Sequence, residues 1–330
     1  MFRDSPKIDG FKIPGYTRQV LISLFADDTA LYLKKSDRYA DVTDILDRWC
    51  DASGAKFNIN KTEVIPIGSE EHRNRVITTR RLHEDDPHPL PTDIRIAPDG
   101  EVTRYLGAWI GNNIDDVSPW EVTLDKVQST LARWALSHPT LLGKQIIVQW
   151  IVGGMTQYLA KVQGMPRTIE DALVKIIRNF IWDGAKSLSL SLENLYLPIE
   201  AGGIGLLDIT TQNQAITITW LRDYLDLSPK HPAWAFIVDV LINEYAPADI
   251  IGLENINVFL QTWEPPKRGP KHNALPSYVR EMLKIACTHN ASFAALHLTH
   301  NLCTQLPAWH HLGAKKTTNA PVVQLPECGP

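Results

Sequence analysis

Hydrophobic and polar positions along the chain change period near residue 118, and the two periods predict different elements. Residues 20–25 and 29–33 are apolar runs around Asp27-Asp28, which predicts a β-hairpin with both acids at its tip. Val42, Ile45, Leu46 and Trp49 then recur on one helical face, with Ser36 or Asp37 as cap and Gly54 as stop. A strand is expected within residues 57–67, a mobile, charged, proline-bearing surface loop over 69–92, and strands near Ile94 and over 105–110.

Beyond residue 118 the spacing is helical. Ser118-Pro119-Trp120-Glu121 predicts an N-cap serine with proline at the first helical position. Trp120, Leu124, Val127, Leu131 and Trp134 then form a stripe expected to face a core. A second helix is expected from about Leu142, and a third after a Thr168 cap with Asp171 three residues on, carrying Leu173, Ile176, Ile177, Phe180 and Ile181. Asp208 can cap a helix running through Trp220 and Leu225. Shorter helices are predicted at 233–243, 255–262 and 276–289, with a proline-rich link at 265–270. The fold class is α+β: hairpin, helix and strands over 1–114, a helical region over 115–200, and a helical C-terminal region over 201–330.

Composition narrows the classes. The chain has 330 residues, 44% hydrophobic and 21% charged, as in ordinary globular proteins. Its net charge of −4 argues against a nucleic-acid field over the whole surface and leaves room only for a local basic track. Candidates are Lys34, Lys35, the cluster Arg73/Arg75/Arg80/Arg81, and Lys267, Arg268 and Lys271, each of which also reads as a solvated face. The widely spaced Cys50, Cys287, Cys303 and Cys328 form no disulfide framework and suit a reducing compartment. No secretion signal opens the chain, so an intracellular place, nucleus or cytoplasm, is expected. The apolar stretch 146–162 is too short and too polar to span a bilayer, so no membrane is expected as a partner.

The chemistry centres on Phe25-Ala26-Asp27-Asp28. Adjacent carboxylates repel unless cations or hydrogen bonds offset their charge, and Mg²⁺ favours such hard oxygen ligands. Cys287, His289, His297, His300 and Cys303 are all capable ligands, but their spacing matches no standard zinc module and favours ordinary helix histidines. Gly202-Gly203-Ile204-Gly205 lacks the lysine pattern of a phosphate loop and reads as a turn. Most of the ten tryptophans fall in apolar-periodic runs, which predicts burial for nearly all of them.

Four motifs occur in order: the acidic hairpin, Asn58-Ile59-Asn60-Lys61-Thr62-Glu63, Tyr105-Leu106-Gly107, and Phe180-Ile181-Trp182-Asp183-Gly184 followed by residues 197–206. The set resembles the reverse transcriptases of non-LTR (LINE-type) retrotransposons over residues 18–210. The resemblance implies a partial polymerase palm, a helical thumb, and a downstream helical region of uncertain role. It implies that Asp27 binds catalytic Mg²⁺ with Asp28 assisting, that Lys61 approaches the departing pyrophosphate, and that Tyr105, Leu106 and Gly107 hold the primer end. The partners implied are an RNA template and a DNA primer, with Lys126 and Arg133 on the outer thumb face as duplex contacts. The family's further palm aspartate has no counterpart in a β-rich run here, since only Asp4 and Asp9 precede the hairpin. The chain alone is therefore expected to be an inactive, truncated RNA-directed DNA polymerase; the alternative is a non-catalytic nucleic-acid-binding or scaffold protein of the same descent.

Overall fold

The computed structural model describes residues 1–184, 190–226, 228–246 and 274–289, with isolated positions at 265, 269–270, 291, 304, 315–316 and 323–324. The architecture is α+β, with helix predominating and the sheets small. Two units divide the chain: residues 1–11 with 20–213, and residues 12–19 with 214–330.

In the first unit, β1 (Ile22–Phe25) and β2 (Asp28–Leu31) pair antiparallel, with Ile22 opposite Leu31 and Phe25 opposite Asp28. Leu21, together with Ile22, Leu31 and Leu33 from the hairpin and its flanks, packs with Phe2, Ile8, Val42 and Ile45 against α1 (Tyr39–Ser53). Asp37 is not the cap of α1. It is buried, and its carboxylate accepts from the backbone N–H groups of Asp9, Gly10 and Lys34 at 2.9, 3.2 and 2.7 Å, which ties three segments together. Such charge-assisted bonds satisfy a buried carboxylate that would otherwise be costly.

β3 (Glu63–Val64) pairs in parallel with β4 (Arg95–Ile96). Between them residues 69–92 are not the expected loop. Ser69 caps α2 (Glu70–Thr79) by accepting from the N–H of His72, and Val76 on that helix packs with Leu90, Ile94 and Ile96. The Arg80 guanidinium reaches the carbonyls of Leu90, Pro91 and Ile94 and closes the return segment on the helix. β5 (Thr103–Tyr105) and β6 (Ala108–Ile110) form a second hairpin, Tyr105 opposite Ala108.

The helical part begins with α3 (Ser118–Ala135). Its N-cap position is Val117, not Ser118, which is already helical; just ahead of it the Asp115 carboxylate accepts from the N–H groups of Val117 and Ser118 and from the Ser118 hydroxyl. Trp120, Val127 and Leu131 are buried as expected, but Leu124 is only half-buried and Trp134 is 47% exposed. Thr140 caps α4 (Leu141–Val148), which runs through a π-turn (Gln149–Gly153) into α5 (Gly154–Gln163). α6 (Arg167–Ile181) starts after Pro166, before the expected Thr168 cap, and buries Leu173, Ile177, Phe180 and Ile181. After α7 (Leu192–Tyr196) the glycine segment is a turn: the N–H groups of Ile204 and Leu206 both donate to the Leu195 carbonyl. A Cβ on Gly203 would fall 2.0 Å from the Leu197 carbonyl oxygen, so no other residue fits there. Asp208 caps α8 (Ile209–Leu225) through the N–H of Thr210.

In the second unit the last turns of α8 pack with α9 (Ala233–Asn243) and α10 (Ser277–Thr288) around Leu221, Tyr224, Val238, Ile242, Val279 and Met282. Among the described residues no helix is long and apolar enough to cross a membrane. The expected 255–262 helix, the basic Lys267, Arg268 and Lys271, the ligand candidates His297, His300 and Cys303, and the cysteine Cys328 lie outside the described residues.

Candidate functional site

The acidic hairpin has a two-residue turn, Ala26-Asp27, between paired Phe25 and Asp28. Asp27 thus sits at the apex, while Asp28 is the first residue of β2, so the acids are consecutive around the tip rather than both in the turn. Ala26 has φ of +52°, a left-handed conformation that costs a residue with a Cβ roughly 1–2 kcal/mol. Such primed turns match the right-handed twist of the arms. Asp27 and Asp28 are both exposed, and among the described residues neither carboxylate has a hydrogen-bond or ion-pair partner. Leu24 and Phe25 beside them are 67% and 65% exposed, although consecutive strand residues point to opposite faces. The tip therefore offers apolar surface on both faces and two uncompensated negative charges.

A second hairpin carries Tyr105; burial first, and then Tyr105, push the phenol of Tyr32, just after β2, above its ordinary value. Leu106 and Gly107 form the turn after Tyr105 with φ of +48° and +83°, both left-handed, as a type I′ turn requires. The space over Gly107 is taken by the chain itself: a Cβ there would meet the Tyr158 ring at 3.1 Å, and the Tyr158 hydroxyl donates to the Leu106 carbonyl. The amide of Gln163 brackets Trp109, accepting from its N–H and donating to its carbonyl, each at 3.1 Å. The Tyr-Leu-Gly turn is thereby held on α5, and the Tyr105 hydroxyl is buried with no partner among the described residues.

Lys61 ends a short 3₁₀ turn (Ile59–Lys61) and is exposed, with no carboxylate partner among the described residues. Lys126 and Arg133 lie on the exposed side of α3, opposite Val127 and Leu131. The basic cluster is largely engaged in structure: Arg73 pairs with Asp99 at 2.6 Å, Arg75 lies 3.7 Å from Glu84, and Arg80 holds backbone carbonyls. Among the described residues the helical region carries a run of bases without acids. No Asp or Glu occurs between Asp125 and Glu170, whereas Lys126, Arg133, Lys144, Lys161 and Arg167 do. Of these Lys144 is buried against Asp183, and Arg167 pairs with Glu170 and Asp171.

Among the described residues no three His, Cys, Asp or Glu side chains are gathered for a metal ion. The acids ahead of the hairpin are not gathered with the pair: Asp9 is engaged by Lys34 at 3.4 Å and Asp4 by the Met1 ammonium at 3.2 Å. Periodicity missed one feature altogether, the exposed aromatics of the π-turn and α5: Trp150 is 76% and Tyr158 50% exposed, and Trp150 faces out because Val148 and Val152 take the buried side. No protein-family model matches the chain, and no curated protein matches it either.

Proposed function

We propose that the chain carries the metal-binding palm hairpin and the thumb of a non-LTR (LINE-type) RNA-directed DNA polymerase, and that it grips an RNA-template/DNA-primer duplex. The observation that carries this reading is the hairpin tip, where Asp27 and Asp28 stand adjacent, exposed and unpartnered on a strained turn. Strain and uncompensated like charge are retained where a ligand makes use of them. Mg²⁺ binds through one or two carboxylates plus waters and substrate phosphates, so Asp27 and Asp28 fit that ion as a partial ligand set. The ion supplies positive charge for phosphoryl transfer. The chain's own residues would orient the reactants: Lys61 towards the departing pyrophosphate, Tyr105, Leu106 and Gly107 towards the primer end, and Lys126 and Arg133 on duplex phosphates. With neither Asp4 nor Asp9 gathered with the pair among the described residues, this chain alone is expected to bind duplex without extending it.

The test is fluorescence anisotropy with a labelled template–primer, run beside Mg²⁺-dependent extension. Lys126→Glu/Arg133→Glu should weaken binding at least about tenfold and flatten the salt slope by about two. Extension abolished by Asp27→Ala/Asp28→Ala would mean that a further carboxylate joins the hairpin, correcting the inactivity but keeping the assignment. No duplex binding at low salt overturns it. A non-catalytic nucleic-acid-binding or scaffold role is favoured by the acid-free run between Asp125 and Glu170. That role predicts duplex binding unaltered by Asp27→Ala and by removing Mg²⁺.

A further inference from the structure

Two tight turns border an open cavity of about 360 Å³ lined by Lys34, Lys35, Ser36 and His83. The first spans residues 34–37. The Asp37 N–H donates to the Lys34 carbonyl at 3.0 Å, and the buried Asp37 carboxylate accepts from the Lys34 N–H at 2.7 Å. Lys35 and Ser36 hold the two central positions of that turn, and both are exposed. The second spans residues 83–86, where the Asp86 N–H donates to the His83 carbonyl at 3.2 Å. The Asp85 N–H donates to His83 Nδ1 at 3.0 Å, which assigns the proton of the neutral imidazole to Nε2.

Each side chain that lines the cavity can donate: two ammonium groups, a hydroxyl and an imidazole N–H. Among the described residues neither the Ser36 hydroxyl nor His83 Nε2 has a hydrogen-bond partner. Three acids stand around the four donors. Asp9 meets Lys34 at 3.4 Å, and Asp85 Oδ2 lies 3.9 Å from His83 Nδ1. Glu84 is shared between two cations, 3.2 Å from Lys35 and 3.7 Å from Arg75. Lys35 first, then Arg75 and His83, hold its carboxyl below the ordinary value. Positive charge still prevails at His72. Burial first, then Arg75 and Lys35, hold that imidazole below its ordinary value, and Glu84 opposes them only in part.

We propose that this cavity binds a phosphate group, held by Lys34 Nζ, Lys35 Nζ, Ser36 Oγ and His83 Nε2. Four donors from two turns suit a tetrahedral oxyanion, whose oxygens accept in several directions. The turns are closed by their own hydrogen bonds, so binding orders little beyond the lysine side chains. Solvent-exposed ion pairs such as Lys35 with Glu84 are weak, and a phosphate dianion displaces the single carboxylate by its greater charge. The same chemistry serves a free phosphate compound and a nucleic-acid phosphate. The inference does not depend on the polymerase reading.

Isothermal titration calorimetry of the full chain with inorganic phosphate, in low-salt buffer, tests it. One saturable site is expected, with a dissociation constant on the order of 1 mM or tighter. Lys34→Gln/Lys35→Gln should raise that constant at least about tenfold, and His83→Phe about threefold. Glu84→Gln removes the competing carboxylate and should lower it about threefold. Arg48→Gln, on the exposed side of α1, should leave it unchanged. Template–primer duplex affinity separates the two sources. A loss in the double-lysine variant assigns the site to a nucleic-acid phosphate, whereas unchanged duplex affinity with phosphate binding lost assigns it to a free phosphate compound. Circular dichroism shows that the variants fold. No saturable binding, binding equally strong in the double-lysine variant, or binding not tightened by Glu84→Gln would each overturn the proposal.

Discussion

The ammonium of Lys144, on α4, donates to Asp183 Oδ1 at 2.7 Å and to the Ile181 carbonyl at 3.0 Å, although 39 residues separate Lys144 from Asp183. The lysine is buried and also lies 5.8 Å from the Phe180 ring centroid, so one cation fastens the C-terminal end of α6 to α4. Positive charge is favourable at a helix C-terminus, where carbonyls lack intrahelical partners.

Lys144→Met should therefore cost about 2 kcal/mol, because it strands the Ile181 carbonyl and removes a charge-assisted bond. Asp183→Asn keeps an acceptor in a mostly exposed position and should cost less than about 1 kcal/mol. Urea midpoints of the two variants measure the difference. Equal, small shifts would show that the burial of Lys144 contributes nothing.

The Tyr-Leu-Gly turn can be separated from its anchor. Tyr158→Phe removes only the hydroxyl that donates to the Leu106 carbonyl and should cost about 1 kcal/mol. Gly107→Ala should cost about 2 kcal/mol or more, since a left-handed φ and the Tyr158 ring at 3.1 Å both oppose a Cβ. Chemical denaturation ranks the two, and a Gly107→Ala loss below that of Tyr158→Phe contradicts the geometry.

In the second unit the Tyr224 hydroxyl donates to Asp239 Oδ1 at 2.6 Å. Burial raises the Asp239 carboxyl above 3.8, more than the Tyr224 bond and His231 lower it, and burial with the neighbouring Asp239 raises Tyr224 well above 10.0. A raised folded-state value means that the native state binds the proton more tightly than the unfolded chain. The contribution of Asp239 is thus fully present below its unfolded value and is lost as pH rises through its folded value. Asp239→Asn retains an acceptor without the charge, so as pH rises above about 4 stability should fall less steeply in the variant than in the parent. Thermal midpoints across that range decide it, and identical slopes would exclude Asp239 as the titrating group.

Much of the local structure was legible along the chain. The acidic hairpin follows from two apolar arms around a short polar turn, and Asp208 and the 233–243 helix follow from capping and composition. α2 was hidden because its sequence is mostly polar; only Val76 is buried, and the residues that cover it, Leu90, Ile94 and Ile96, come later in the chain. Asp37 and Asp115 show a related limit. Either carboxylate suits a cap by type, but whether it holds the start of a helix or bridges loops depends on which N–H groups the fold brings within reach.

The sequence by itself determined the acidic tip, the order of the four motifs, the mixed α+β class and the acid-free helical run, since these are properties of neighbours along the chain. Only the tertiary structure decided that Gly107 is closed off by Tyr158, that Lys144 is buried against Asp183, and that Trp150 faces water beside a bare glycine. Periodicity shows that a helix has two faces; which face meets the core is settled by partners distant in sequence, through packing that no local pattern contains.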